Sequence, residues 1–313
     1  AYEELQRLCT ANIKNEIGKC TYTHMLNEGG GIETDLTVVC IDKNHFRIIS
    51  SAAVRTHDKA HILKHLSSDV EFKDITDDLV CLGVFGPKSR ELLSKICKDD
   101  LSNENFKFGY GKNITLNSIN IWAQRLSYVG ELGFELYIKN KDAKEIYNLI
   151  ITAGEEFKLS HCGAHAMDTM RMESGFLHWG HDISPEENQY QAGLNFAISY
   201  KKPFDFIGKG KLLKIKDQKL DRRFVMLTLK ESKPGEPLLL HEEPIYLDDK
   251  IIGKTTSGNY SFNYNKNLSF GYINCAFSNE QLVDKNLYIE IEKKKYPAEL
   301  LTKPLKANNF KNI

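Results

Sequence analysis

The chain reads Met25-Leu-Asn-Glu-Gly-Gly-Gly-Ile-Glu-Thr-Asp-Leu36, where a glycine-rich turn leads into an apolar strand. Glycine adopts a positive φ without steric strain, so three consecutive glycines predict a tight turn before that strand. A second stretch, Ser127-Tyr-Val-Gly-Glu-Leu-Gly-Phe-Glu135, also runs into a strand. Each stretch therefore carries a carboxylate in an otherwise apolar strand, Asp35 in the first and Glu135 in the second.

These two carboxylates can be interpreted in two ways. A buried carboxylate without a partner is destabilising, so strand alternation can place each of them on a solvent-facing side. The functional interpretation is a pair of acceptors for a ring with several N–H donors. The aromatic side chains that would supply flat apolar walls for such a ring are Tyr128, Phe134, Tyr137 and Phe196.

Strands and helices alternate over the first 222 residues without the regular βαβ repeat of a parallel sheet. The predicted strands cover residues 32–41, 46–51, 70–77, 79–85, two short stretches within 113–125, and 136–140. The predicted helices cover residues 2–11, 57–66, 88–96, 141–157 and 164–175. This mixture predicts an α+β fold with antiparallel sheets.

After residue 223 the helical pattern fades and short strands follow one another. These strands cover residues 224–229, 245–247, 250–257, 269–272 and 287–292. They predict an all-β C-terminal module, either a sandwich or a barrel.

Charge and composition exclude several classes of protein. Lysine plus arginine total 42 and aspartate plus glutamate total 42, which argues against a nucleic-acid binder with its basic excess. No apolar run approaches the roughly 20 residues that span a bilayer. The seven cysteines are scattered without a C-x-x-C pair, which predicts reduced thiols and no metal site.

Two glycine-containing stretches resemble phosphate loops, but neither has the required spacing. Gly83-Val-Phe-Gly-Pro-Lys-Ser89 has a proline where a P-loop needs a backbone N–H. Gly208-Lys-Gly-Lys211 lacks the third glycine of a dinucleotide-binding fingerprint and the strand before it. The chain therefore shows no flavin- or nicotinamide-binding signature.

The histidines form two groups along the sequence. His57, His61 and His65 would share one helix face, but they span about 12 Å, too far for one metal ion. The stretch His178-Trp-Gly-His-Asp182 fits either a cleft-lining loop or a packed tryptophan beside surface histidines. Its role stays open.

The motifs together resemble the folate-binding aminomethyltransferase family, whose founding member is the T-protein of the glycine cleavage system. The stretch ending at Leu36 looks like the family's Gly-Gly-Ile-x-x-Asp-Leu, and the one ending at Glu135 looks like its Tyr-x-Gly-Glu-x-Gly-x-Glu. Four further stretches are similar to the family's: Ala166-Met-Asp-Thr-Met-Arg-Met-Glu173, Gly180-His-Asp-Ile183, Gln191-Ala-Gly-Leu194 and Phe206-Ile-Gly-Lys209. The resemblance covers essentially the whole chain.

The resemblance implies a three-subdomain cloverleaf around a central folate channel. Residues 1–68 with 163–222 would form the folate-binding subdomain one, and residues 69–162 a ferredoxin-like α+β subdomain two. Residues 223–313 would form the C-terminal β-barrel subdomain. The chain would then start inside subdomain one, without its usual opening strands, as a piece of a longer protein.

The resemblance also implies tetrahydrofolate as the cofactor. The residues that it assigns to folate are Asp35, Leu36, Thr37, Tyr128, Glu135, Leu136, Tyr137 and Phe196. Glu135 would hold the pterin, while Asp35, the expected catalytic residue, would face the reactive nitrogens. A carboxylate there can orient the folate amine, accept its proton and stabilise a cationic iminium.

The branch that the chain resembles most is the C-terminal half of dimethylglycine and sarcosine dehydrogenases, where the folate module follows a flavin oxidase. Lys254-Thr-Thr-Ser-Gly-Asn-Tyr-Ser-Phe262 and Asn267-Leu-Ser-Phe-Gly-Tyr272 are similar to that branch. Where the glycine cleavage enzyme has Ala-Arg-Asp, this chain has Met167 before Asp168, as that branch does. The implied function is capture of an iminium or methylene unit from a dimethylglycine- or sarcosine-type donor as 5,10-methylenetetrahydrofolate.

Two alternatives stay open: a stand-alone T-protein-like aminomethyltransferase or methyltransferase, and a folate-binding module without chemistry. The expected partners are folate, a methylated amine and a flavin oxidase domain upstream of Ala1, which would hold FAD. No nucleic-acid or membrane partner is expected. The expected compartment is the cytoplasm, or the mitochondrial matrix in a eukaryote.

Overall fold

The computed structural model describes residues 1–274, 278–283, 285–307 and 309–312. Six cysteines in these ranges are free thiols, and Cys275 lies outside them. Within the same ranges no helix is long and apolar enough to cross a membrane. The strands form two open antiparallel sheets and one closed barrel.

The first sheet has the strand order β1-β2-β3. Its strands are β1 (Cys20–Leu26), β2 (Ile32–Asp42) and β3 (His45–Ile49). The burial pattern of β2 alternates between buried and half-buried residues, so one face packs on a core. That core contains Leu36 and Val38 together with Leu5 and Leu8 of helix α1 (Tyr2–Leu8).

The turn between β1 and β2 uses its glycines in two ways. Gly30 has a φ of 84°, as the sequence predicts for a tight turn. A Cβ on Gly31 would lie 1.9 Å from the carbonyl oxygen of Pro185, so only glycine lets these two backbones approach. The Ile32 N–H then donates to the Glu187 carbonyl at 2.9 Å, which ties the hairpin to the segment 184–187.

The second sheet has the order β4-β7-β6-β5. Its strands are β4 (Leu79–Phe85), β5 (Gly111–Leu116), β6 (Ile119–Gln124) and β7 (Gly133–Lys139). Helices α3 (Ser89–Ile96) and α4 (Asn140–Gly154) cover one face. In α4, Ile146 and Ile150 are one turn apart and pack in the same core as Leu136 of β7.

The C-terminal strands close into a barrel in the order β10-β11-β8-β13-β12-β9. They are β8 (Arg222–Leu229), β9 (Pro244–Leu247), β10 (Lys250–Ser261), β11 (Lys266–Asn274), β12 (Leu287–Ile291) and β13 (Lys294–Leu301). Alternate residues such as Val225, Leu227 and Leu229 fill the interior. The barrel alternative of the sequence prediction is therefore confirmed.

The remaining helices lie between strands of these sheets or of the barrel. They are α2 (Arg55–His65), α5 (Ala164–Glu173), α6 (Lys209–Ile215) and α7 (Asn279–Leu282). Met172 of α5 packs against Leu268 and Phe270 of β11, so α5 joins the barrel to the rest of the chain. The mixed α+β fold with antiparallel sheets is confirmed, and the division at residues 68, 163 and 223 stays a prediction.

One predicted strand is wrong, because residues 70–77 form none. The Thr76 N–H donates to the Asp74 carboxylate at 3.1 Å, and both Asp74 and Asp77 pair with Arg55. These local side-chain hydrogen bonds replace a strand ladder, and the segment ends in a 3-10 turn at Thr76–Asp78. Strands β1 and β13 were not predicted, although both belong to regular sheets.

Candidate active site between two facing sheets

The first and second sheets face each other across a small apolar cluster. Cys20 and Val39 of the first sheet pack there against Trp122 and Tyr137 of the second. Side chains two and four residues apart along a strand point the same way. Asp35 therefore shares the face of Val39, and Glu135 shares the face of Tyr137, so the two carboxylates lie on facing surfaces.

The electrostatics of the cysteines agree with this placement. Burial, followed by the charge of Glu135, raises the pKa of the Cys20 thiol to about 12. The same two causes raise the pKa of the Cys81 thiol to about 12. Since Cys20 belongs to the first sheet and Cys81 to the second, the Glu135 charge acts on residues of both sheets.

Asp35 is half-buried, and the Tyr22 hydroxyl donates a hydrogen bond to its Oδ2 at 3.2 Å. Burial raises the pKa of Asp35 to about 6, although the hydrogen bond from Tyr22 lowers it. The charge of Asp58 on α2 raises it further. The pKa of Asp35 therefore lies close to neutral pH, which suits a general acid or base.

Glu135 accepts a hydrogen bond from the Tyr137 hydroxyl at 2.7 Å. Burial raises the pKa of Glu135, and this hydrogen bond opposes the rise. The residue opposite it in the sheet is Gln124, which is fully buried. Neither amide atom of Gln124 has a hydrogen-bond partner in the described part of the chain, so a carboxylate and an amide with unused capacity lie side by side.

Aromatic side chains border the Asp35 end of this space. The Phe196 ring is 74% exposed and stacks on the Tyr22 ring with centroids 6.5 Å apart. The Tyr128 hydroxyl donates to the Leu177 carbonyl at 3.2 Å, and its ring stacks on Phe176. Tyr22 itself remains 39% exposed, and desolvation together with the charge of Asp35 raises the pKa of its hydroxyl.

The leucines of the predicted site point away from it. Leu36 and Leu136 are buried in the cores on the outer faces of their sheets. Either could contact a ligand only through its backbone. Thr37 is half-buried on the face of Asp35 and pairs with Tyr22 across the hairpin, so its side chain does face the space.

Sequence reasoning missed Tyr22 and His24, although a signal for both was present. They alternate with threonines in β1, and the glycine turn joins β1 to β2. The register of that hairpin places His24 opposite Asp35 and Tyr22 opposite Thr37. Predicting β1 as a strand would have brought both side chains to the face of Asp35.

The first histidine group lies at the edge of the site. His57 contacts Glu33 at 3.1 Å and Asp58 at 3.2 Å, and its ring lies 5.2 Å from that of Trp179. Across the described ranges, no group of three or more His, Cys, Asp or Glu residues could hold a metal ion. His57 thus lies between two carboxylates, those of Glu33 and Asp58.

A buried ion pair joins helix α5 to the loop that follows it, and hydrogen bonds join that loop to the barrel. Arg171 contacts Asp182 at 2.5 Å, and their side chains are 1% and 0% exposed. Asp182 also accepts hydrogen bonds from Thr256 at 2.5 Å and Ser257 at 2.8 Å on β10. Trp179 of the same loop donates to the Ile32 carbonyl at 3.0 Å, so the loop is fixed to both the barrel and the hairpin that carries Asp35.

Comparison with protein families shows two matches that together cover most of the chain. Residues 1–202 match the GCVT N-terminal domain, and residues 222–306 match the glycine cleavage T-protein C-terminal barrel domain. The boundary between the two matches falls just before β8, where the barrel begins.

Several characterised proteins are similar to this chain. Mitochondrial dimethylglycine dehydrogenase of Homo sapiens is 36% identical over 298 residues, which cover 94% of this chain and 34% of that protein. An aminomethyltransferase of Listeria innocua is 33% identical over 301 residues, covering 96% of this chain and 80% of that enzyme. This chain thus spans about a third of the length of the dehydrogenase that it matches.

A solved structure shares the fold. The glycine cleavage system aminomethyltransferase T from Bartonella henselae superposes with a TM-score of 0.82. The match covers 97% of this chain and 81% of that one, at 21% sequence identity. The arrangement of two sheets and a barrel is therefore that of the T protein.

Proposed function

Because this chain belongs to the glycine cleavage T-protein family of aminomethyltransferases, we propose that it transfers a one-carbon unit to tetrahydrofolate. The observation that carries the proposal is the placement of Asp35 and Glu135 on the facing surfaces of two sheets. A pair of half-buried carboxylates with raised pKa values is an arrangement found at functional sites.

The residues present fit a pterin ring. Within the described ranges, Glu135 has one side-chain hydrogen-bond partner, Tyr137, and the amide of the neighbouring Gln124 has none. A ring edge that carries N–H donors next to a carbonyl oxygen matches a carboxylate next to an amide. Phe196 and Tyr128 would supply flat contacts at the other end of the space.

Tetrahydrofolate, when bound, supplies neighbouring nitrogen nucleophiles that can hold a one-carbon unit between them. Asp35, ionised above pH about 6, would accept a proton there and stabilise the positive charge of an incoming iminium. The hydrogen bond from Tyr22 would keep the Asp35 carboxylate in one orientation. Partial burial strengthens the effect of that charge on a nearby cation.

We infer that the donor is an N-methylated glycine derivative of the dimethylglycine or sarcosine type, and that 5,10-methylenetetrahydrofolate is the product. The similarity to dimethylglycine dehydrogenase supports this inference. So does the uncharged Met167, 45% exposed on α5, where the glycine cleavage enzyme resembled above has arginine. A flavin oxidase with FAD would then be needed to form the iminium, as a partner of this chain.

A second candidate is a T-protein-like aminomethyltransferase that accepts its one-carbon unit from an aminomethylated carrier. The coverage of 80% of the Listeria enzyme favours this candidate. The two candidates are separated by following methylenetetrahydrofolate after supplying either formaldehyde with sarcosine or an aminomethylated lipoyl carrier protein. Because formaldehyde condenses with tetrahydrofolate unaided, only product in excess of the same mixture without the chain is counted, and such product from the first mixture alone supports the dehydrogenase-type donor.

Binding of reduced folate is tested by calorimetry on the parent chain and on Glu135→Gln. The substitution removes the charge while keeping the shape, so affinity should fall roughly tenfold to a hundredfold, the worth of a charge-assisted hydrogen bond. Glu290→Gln is the matched control, because Glu290 accepts a similar hydrogen bond from Tyr246 at 2.9 Å on the barrel. Absence of tetrahydrofolate binding by the folded parent would refute the proposed function.

A further inference from the structure

A chain of hydrogen bonds runs from the backbone of one segment to the Asp35 carboxylate. Thr10 donates to the Ala197 carbonyl at 3.0 Å, and Gln189 Nε2 lies 3.1 Å from the Thr10 hydroxyl oxygen. Gln189 Nε2 also lies 2.7 Å from His24 Nδ1. His24 Nε2 lies 3.1 Å from the Tyr22 hydroxyl, which in turn donates to Asp35 at 3.2 Å.

The direction of this chain is determined at its Ala197 end. A carbonyl oxygen can only accept, so the single hydroxyl proton of Thr10 is committed to Ala197. Thr10 then accepts from Gln189 Nε2, and with this amide orientation Gln189 Oε1 is buried without a hydrogen-bond partner among the described residues. The second amide hydrogen of Gln189 points at His24 Nδ1, so Nδ1 must be an acceptor without a proton.

The tautomer of His24 follows from this acceptor. A protonated Nδ1 would bring two N–H groups together at 2.7 Å, so the imidazole is neutral with its proton on Nε2. Complete burial, which lowers the pKa of His24 to about 3, agrees with the neutral form. The Nε2–H then donates to the Tyr22 oxygen, and the Tyr22 proton remains available for Asp35.

We propose that Thr10, Gln189 and His24 form a relay of fixed direction that compels Tyr22 to donate its hydrogen bond to Asp35. His24 and Gln189 are then positioning residues for the catalytic carboxylate, although neither touches it. The role of Asp35 as the catalytic group rests on the proposed function, but the relay itself is a statement about proton positions.

The hydrogen bond at the end of the relay and the charges near Asp35 have opposite effects on the pKa of Asp35. The titratable groups that face Asp35 are Tyr22 from β1, Asp58 from α2 and Tyr128 from the loop before β7. The charge of Asp58 raises the pKa of Asp35, and the hydrogen bond from Tyr22 lowers it. Removing the donated hydrogen bond should therefore raise that pKa, while Asp58 and Tyr128 stay in place.

The first experiment determines the tautomer of His24 in the whole 313-residue chain. A long-range ¹H–¹⁵N spectrum of ¹⁵N-histidine-labelled protein, assigned with His24→Gln, should show a neutral ring with its proton on Nε2 at pH 7. A proton on Nδ1, or an imidazolium, overturns the relay. This measurement needs no ligand, and His24→Gln serves only to assign the signal of the parent chain.

The second experiment measures the pKa of Asp35 by titrating ¹³C-carboxyl-labelled aspartate. Tyr22→Phe should raise it by roughly one unit, a tenfold change in proton affinity. His24→Phe should raise it in the same direction, whereas His24→Gln should stay near the parent because the amide keeps an N–H for Tyr22. Tyr190→Phe, which loses a hydroxyl contact with Tyr200 at 2.7 Å outside the site, should leave it unchanged.

The outcomes separate this inference from the proposed function. A shift in Tyr22→Phe without one in His24→Phe overturns the relay and leaves only the Tyr22 contact. If one-carbon transfer occurs, Tyr22→Phe should slow it about fivefold at pH 6, where a one-unit shift lowers the ionised fraction from a half to about a tenth, and the deficit should vanish by pH 8.5. Absence of transfer by the parent contradicts the proposed function and leaves the pKa result standing.

Discussion

Replacing Asp35 with asparagine should slow one-carbon transfer and at the same time stabilise the folded chain at neutral pH. Asparagine keeps the size of the side chain and can still accept the hydrogen bond from Tyr22, so only the charge is lost. If that charge acts in the transition state, the rate should fall on the order of a hundredfold. The gain in stability has a separate origin, the partial burial of an ionised group.

The size of the stability gain follows from the pKa. Burial raises the pKa of Asp35 to about 6 from an ordinary value of 3.8. This difference of about 2.2 units corresponds to about 3 kcal/mol for a fully buried group, and solvent screening reduces it to about 1–2 kcal/mol for a half-buried one.

The sign of the effect depends on pH. Because the folded-state pKa lies above the unfolded one, the contribution of Asp35 to stability is greatest below pH 3.8 and is lost as the pH rises through 6. Above that pH the ionised carboxylate destabilises the folded chain, and asparagine removes the effect.

Thermal unfolding of the parent and of Asp35→Asn tests this reasoning at pH 4 and pH 7.5. The variant should melt about 1.5–3 °C higher at pH 7.5 and nearly equally at pH 4. Asp249→Asn is the control, because Asp249 is fully exposed beside Lys295. The reasoning would be refuted if the variant melted at a lower temperature than the parent at pH 7.5. It would also be refuted if the melting temperature rose by the same amount at both pH values, because the ionised Asp35 would then not be the cause.

Three further outcomes follow from the structure. The parent's transfer rate should fall as the pH drops below about 6 and Asp35 is protonated, so a flat profile down to pH 5 would contradict its role as the acting carboxylate. Arg171→Met leaves Asp182 buried without its cation, so chemical denaturation should show that the free energy of unfolding falls by about 3–5 kcal/mol. Removal of one partner of an exposed ion pair would change it by almost nothing. Tyr260→Ala removes a buried ring whose centroid lies 5.1 Å from that of Phe262, so it should lower the melting temperature without changing folate affinity. A loss of turnover at an unchanged melting temperature would instead assign Tyr260 a role in the reaction.

Local sequence patterns predicted the elements whose hydrogen bonds stay within short stretches. The apolar run Leu79–Phe85 became β4, and helix α3 begins two residues after Pro87. The same reasoning placed a strand over residues 70–77, because alternation alone does not reveal that Asp74 and Asp77 bind Arg55. Alternation is a weak guide where acidic side chains can form local hydrogen bonds.

The carboxylates of the candidate site could be predicted from the sequence, but most of their surroundings could not. Strand parity alone places Leu36 on the opposite face from Asp35, and sequence resemblance had grouped them as neighbours of one ligand. Gln189 reaches His24 across 165 positions of chain, so its contact depends on tertiary packing that no local pattern contains. The relay to Asp35 is visible only once three distant segments have folded together.

The core behind the hairpin has a consequence for synthesis of the chain. Leu26 and Ile32 are covered by residues that come much later, among them Leu194 and Leu212. At a translation rate of roughly 5–20 residues per second, the interval between Ile32 and Leu212 is about 10–40 s. The second sheet, built from one continuous stretch, can form during that time. Until Leu212 has been synthesised, the apolar residues Leu26 and Ile32 of the hairpin that bears Asp35 stay exposed to water. We expect chaperones to bind the nascent chain there.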